Sequence, residues 1–140
     1  MSPDQEMGAD LPELPASSDS RRILVMSAKP VVRDLLERFL EIDGYCACAA
    51  SDVAEAFARA REQPFALIVL DSSLLGAKAI RARFKDESTT SHLPVLWVGP
   101  KYAKVDFAPI IAAPTDGVLL MPFTRQQIIE TVHRLIGSNV

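Results

Sequence analysis

Ala66-Leu67-Ile68-Val69-Leu70-Asp71 is the stretch that decides the fold of this 140-residue chain. An apolar run with no polar alternation describes a strand buried on both faces, as in a parallel sheet covered by helices on each side. The run ends on a carboxylate and passes into Ser72-Ser73. In open α/β sheets ligands and chemistry lie just beyond the carboxyl ends of the strands, so Asp71 is the first candidate functional residue. The same Asp also suits a purely structural role, capping the turn into the next helix.

Toward the N-terminus, Ile23–Met26 forms a first strand, Ser27-Ala28-Lys29 its exit turn, and Pro30 the start of a helix. Val31, Leu35, Leu36, Phe39, Leu40 and Ile42 recur at helical spacing and are expected to face the core. Gly44 ends that helix, and a second strand covers Tyr45–Ala50. Asp52 with Glu55 makes a capping box for an alanine-rich helix running to about Glu62, which Pro64 closes.

Toward the C-terminus, a helix is expected over Leu75–Phe84, with Arg81, Arg83 and Lys85 on its outer side. A polar loop, Asp86–His92, leads to the strand Val95–Val98, which ends in Gly99-Pro100. Phe107–Ala113 reads as a short helix, Val118–Leu120 as a fifth strand ending in Met121-Pro122. Thr124 with Gln127 caps a last helix with inner face Ile128, Val132, Leu135 and Ile136, stopped by Gly137. Five strands alternating with five helices through short turns define one α/β domain with a parallel sheet. Right-handed crossovers put helices on both faces.

Composition narrows the function classes. With 49% hydrophobic and 24% charged residues the chain has the balance of a globular protein. Residues 1–20 carry Asp4, Glu6, Asp10, Glu13 and Asp19, three prolines and no base, and are expected to form a disordered leader before a domain over 21–140. The domain itself is near charge balance with no basic stripe, so no nucleic-acid footprint is expected. No apolar run approaches a bilayer-spanning length and no secretion signal is evident, which points to a cytoplasmic protein away from membranes. Cys46 and Cys48, two apart on a strand, read as buried thiols: two ligands make a poor metal site. His92 and His133 lie far apart and read as surface residues.

Over residues 21–140 the chain resembles a response-regulator receiver domain. The resemblance rests on Ile23-Leu24-Val25-Met26 before a Pro-initiated helix, Leu67–Asp71, Pro94-Val95-Leu96-Trp97-Val98 and Leu120-Met121-Pro122-Phe123. It implies a flavodoxin-like (βα)5 fold with strand order 2-1-3-4-5 and a site above strands one, three and five. In that family an Asp at the end of strand three accepts a phosphoryl group, and Asp71 matches it. The two acids that hold Mg²⁺ in the family are here Ser27 and Ala28. The Ser or Thr of strand four is Gly99, the Lys before the strand-five proline is Met121, and the strand-five aromatic is Val118. Phosphoryl transfer needs positioning and neutralisation of developing charge, and a lone carboxylate supplies neither. Lys29 either reaches Asp71, taking the metal's place, or is a solvated residue at the helix start.

The expected function is therefore a non-enzymatic pseudo-receiver, a phosphorylation-independent protein-interaction module in bacterial signalling, with no metal and no cofactor. The alternative is a phosphoacceptor receiver of two-component signalling that uses Asp71. A nucleotide or flavin binder on the same fold is disfavoured, because Ser27–Pro30 has no glycine to cradle a phosphate. The resemblance places a protein partner or second copy on the helix 4–strand 5–helix 5 face. Phe107–Pro114 carries no charge, and Ala108 and Ala112, with Val118, are the expected interface residues.

Overall fold

The computed structural model describes residues 21–100 and 116–137. The expected leader (1–20) and the expected short helix with Ala108 and Ala112 lie outside the described residues. The elements run β1 (Arg22–Met26), α1 (Pro30–Ile42), β2 (Cys46–Ala50), α2 (Val53–Glu62), β3 (Leu67–Asp71), α3 (Ala77–Asp86), β4 (Val95–Pro100), β5 (Gly117–Met121) and α4 (Arg125–Gly137). Here α4 is the fifth helix of the sequence reading. All neighbouring strands pair in parallel, in the order β2-β1-β3-β4-β5. This is the expected flavodoxin-like doubly wound sheet.

Alternation along the buried strands builds a core on each side of the sheet. Leu24, Met26, Ile68, Leu70, Val95 and Trp97 point to the α2/α3 side, where Phe57, Ile80 and Phe84 meet them. Ile23, Val25, Leu67, Val69, Leu96 and Val98 point to the α1/α4 side, against Leu36, Leu40, Ile128 and Val132. β3 is buried at every residue, as its unbroken apolar run requires.

The local signals act as their chemistry dictates. Gly44 takes φ +90° beyond α1, and Tyr45 N–H closes back onto the Leu40 carbonyl at 3.0 Å. Asp52 accepts from Glu55 N–H at 2.8 Å, while Glu55 reaches back to Ser51 N–H at 2.9 Å. Thr124 and Gln127 exchange the reciprocal pair at the start of α4, at 2.8 and 3.1 Å.

Four expectations need correction. The third helix begins at Ala77, because Gly76 sits at φ +72°, a left-handed conformation that a continuing helix cannot pass through; Leu75 is 98% exposed. On α1 only Leu36 and Leu40 are buried. At 100° per residue Val31, Leu35 and Ile42 fall well over a quarter-turn from that pair, and all three are exposed. Arg81 and Lys85 are not on an outer face: both are about three-quarters buried against Asp116. Finally, the thiols are not buried as a pair. β2 is an edge strand, so Cys46 is exposed and Cys48 half-buried, and that partial burial pushes the Cys48 thiol up.

Candidate functional site at the carboxyl end of the sheet

Asp71 is the last residue of β3, paired across to Val98 of β4, and it is only 1% exposed. On its other side β1 ends at Met26, opposite Leu70, so the next residue, Ser27, arrives beside the carboxylate. Ser27 is fully buried and its hydroxyl donates to Asp71 Oδ2 at 2.7 Å. That hydroxyl in turn accepts Lys29 N–H at 3.1 Å, which fixes the β1 exit turn. Arg33, one turn into α1, donates from its guanidinium to the Ser27 carbonyl at 2.7 Å.

The other carboxylate oxygen is held from its own strand. Asp71 Oδ1 accepts Ser73 N–H at 2.9 Å and the Ser73 hydroxyl at 2.7 Å, an Asx-type turn two residues on. The turn-capping role is therefore present. Both oxygens are occupied, and every donor is neutral. A buried carboxylate with several hydrogen bonds is satisfied without a cation.

The remaining candidate positions do not add charge. Lys29 is exposed at the helix start, and among the described residues it forms no ion pair with Asp71. Ala28 is exposed at the turn. Met121 is half-buried and packs into the apolar cluster on the α1/α4 side. Val118 is half-buried against the Trp97 cluster, while its neighbour Leu120 is 41% exposed. Gly99 is buried with its Cα facing Ser72: a Cβ there would stand 1.9 Å from the Ser72 hydroxyl oxygen. His133 is exposed as expected but bonds Asp43 at 2.9 Å.

The donor set does not fit a divalent cation. Mg²⁺ needs near-octahedral oxygen ligands and usually more than one carboxylate with free lone pairs. Here a single carboxylate is already engaged by hydroxyl and amide donors, and no cluster of three metal-ligating side chains occurs among the described residues.

Three participants escaped the sequence reading. Ser73 looked like part of a plain turn, although an Asp two residues before a Ser is itself an Asx-turn signal. Arg33 looked like a solvated residue on the polar face of α1. Asp116 lies just before β5, where nothing local marks it as buried.

The Response regulator receiver domain family model matches residues 23–133. Among curated relatives, the chain is 27% identical over 114 residues to the probable transcriptional regulatory protein TcrX of Mycobacterium tuberculosis, covering 81% of this chain and 49% of that protein. It is 25% identical over 121 residues to the transcriptional regulatory protein ResD of Bacillus subtilis, covering 85% and 49%. The chain thus spans about half the length of the curated relatives it matches. Among solved structures, a sensor protein from Polaromonas sp. JS666 superimposes with TM-score 0.72 at 22% identity, over 85% of this chain and 98% of the other. The receiver domain of a Pseudomonas aeruginosa sensor histidine kinase, with a magnesium ion coordinated in its active-site cleft, gives TM-score 0.70 at 22% identity, over 84% and 98%. At these identities the structural likeness shows the fold.

Proposed function

The chain belongs to the response regulator receiver domain family, and from that premise we propose that it acts as a pseudo-receiver, a protein-interaction module that works without phosphorylation. The observation that carries this reading is the closed hydroxyl cage: Asp71 is buried, and Ser27 and Ser73 occupy both of its oxygens. A phosphodonor is anionic, and its transferring group needs positive charge and an in-line path to the attacking oxygen. Ser27, Ala28, Gly99 and Met121 supply no such charge, and Lys29 stands out in solvent. On this reading the domain is not an enzyme and takes no cofactor.

The interaction role is supported by apolar surface. Val31 and Ile42 lie on one stripe of α1 and are 79% and 61% exposed, and Leu120 on β5 is exposed on the other side of the sheet, the side on which Val118 packs. Exposed apolar side chains grouped on one face, as Val31 and Ile42 are on α1, mark docking sites more often than chance. Leu120 belongs to the described part of the helix 4–strand 5–helix 5 face expected from the resemblance. The relatives named as transcriptional regulatory proteins fit a role in signalling within the cell. Among the described residues no helix is long and apolar enough to cross a membrane.

One observation favours a second reading. Asp71 keeps the phosphoacceptor's place at the end of β3, so the protein could serve as a phosphoacceptor response regulator of two-component signalling. Intact mass after incubation with acetyl phosphate and Mg²⁺ separates the two. The pseudo-receiver reading expects no gain of a phosphoryl mass; a gain lost in Asp71→Asn establishes the alternative.

A further inference from the structure

Ser72 follows Asp71, is only 7% exposed, and its hydroxyl oxygen is buried with no hydrogen-bond partner. A buried hydroxyl without a partner is costly enough to need a reason. The reason is visible across the sheet. The Ser72 hydroxyl fills the space that a side chain on Gly99 would take, 1.9 Å from where the Cβ would stand, with Ser72 Cβ at 3.1 Å. Ser72 N–H also donates to the Val98 carbonyl at 2.8 Å, so the residue is tied to the end of β4 through its backbone while its side chain lies against Gly99.

We propose that Ser72 and Gly99 are a transposed pair. The hydroxyl that receivers carry on strand four is carried here on the β3 turn, and it plugs the socket left by Gly99. This rests on the pseudo-receiver reading and deepens it. A side chain on β4 can change rotamer independently of the acid on β3. Ser72 is covalently next to Asp71 and its hydroxyl lies in the space that Gly99 leaves open, so here hydroxyl and acid belong to the same turn. The plug therefore holds the β3 exit turn, with Ser73 on Asp71, in one state. Gly99 keeps that space open: a Cβ there would have to displace the Ser72 hydroxyl by a turn about χ1 and would still stand 3.1 Å from Ser72 Cβ, a tight contact that the turn must yield to.

The test is a graded series in the full chain, read by thermal unfolding. Gly99→Ser places a Cβ against the hydroxyl and is expected to lower Tm by about 5–15 °C, the range for overpacking in a domain of this size. Ser72→Ala/Gly99→Ser leaves the 3.1 Å contact and recovers part of the loss. Ser72→Gly/Gly99→Ser opens the socket fully and recovers most of it. Should Gly99→Ser fail to fold, the order of the two double variants still decides. Backbone relaxation dispersion adds a readout beyond packing: Asp71–Ser73 and Val98–Pro100 are expected to be quiet in the parent and to show millisecond exchange in Ser72→Gly. A Gly99→Ser variant as stable as the parent, double variants without the stated order, or a quiet Ser72→Gly turn overturns the proposal. None of these measurements depends on phosphodonor or Mg²⁺, so failure of the pair and failure of the pseudo-receiver reading are separate outcomes.

Discussion

Two buried aspartates stand at opposite ends of the same sheet and are treated in opposite ways. Asp71, beyond the carboxyl end of β3, is held by the hydroxyls of Ser27 and Ser73 and by one amide. Asp116, before the amino end of β5, is held by cations: Arg81 Nε at 2.5 Å and Lys85 Nζ at 3.8 Å, with Val95 N–H at 3.2 Å. Asp116 ties α3, β4 and β5 together, and its charge is part of the tie. Asp71 has only donors that a neutral side chain would also satisfy. A buried acid in this fold is thus not by itself a mark of chemistry; what surrounds it decides.

The largest effect that sharpens the contrast is expected at Asp116. Asp116→Asn leaves Arg81 and Lys85, each about three-quarters buried, without their counter-charge. Removing one member of a buried pair strands the other, and a loss of about 2–4 kcal/mol is expected in urea unfolding. Burial already pulls the Lys85 ammonium below its ordinary range against the opposing pull of Asp116, so removing the Asp116 charge lowers it further. A loss as small as that of a surface substitution would break the contrast.

Asp71→Asn is expected to cost about 1 kcal/mol or less by the same measurement. The amide oxygen keeps the Ser73 donors, and the Ser27 hydroxyl can turn to accept. A loss as large as that of Asp116→Asn would mean that the negative charge at residue 71 is structurally required.

A third carboxylate, on the surface, calibrates the pair with the smallest effect. The Ser51 backbone donor, then the Arg59 guanidinium, hold the Glu55 carboxyl below its ordinary value of 4.5. A depressed folded-state value means stability that is present above that ordinary value and lost as pH falls through the folded one. Glu55→Gln keeps the capping acceptor without the titration, so the slope of stability against pH below about 4.5 should flatten slightly. An unchanged slope would remove Glu55 from the account of the α2 cap.

How far the sequence carried this account follows from range of contact. β3, the Gly44 stop and the two capping boxes were legible because their signals are local: an apolar run, a positive-φ glycine, a reciprocal pair three residues apart. The placement of Asp71 followed from the end of its run. Asp116 was not legible, since its partner Arg81 lies 35 residues away and nothing near Asp116 marks it for burial. For the same reason Arg81 and Lys85 read as outer-face residues. Periodicity on α1 merged two faces, the buried Leu36–Leu40 line and the exposed Val31, Leu35 and Ile42. The Ser27 and Ser73 cage was half legible: the loss of the acids could be read at Ser27 and Ala28, but the closing of the carboxylate by hydroxyls could not.

If the Asp71 end of the sheet is closed to the phosphorylation switch, a single titration reads it out. Backbone amide shifts are followed while Mg²⁺ and beryllofluoride, a phosphoryl mimic, are added to the full chain. No saturable change is expected at Ser27, Asp71, Ser72, Ser73 or Gly99 up to millimolar Mg²⁺. A saturable shift centred on Asp71, absent in Asp71→Asn, would contradict it and return the protein to the phosphoacceptors.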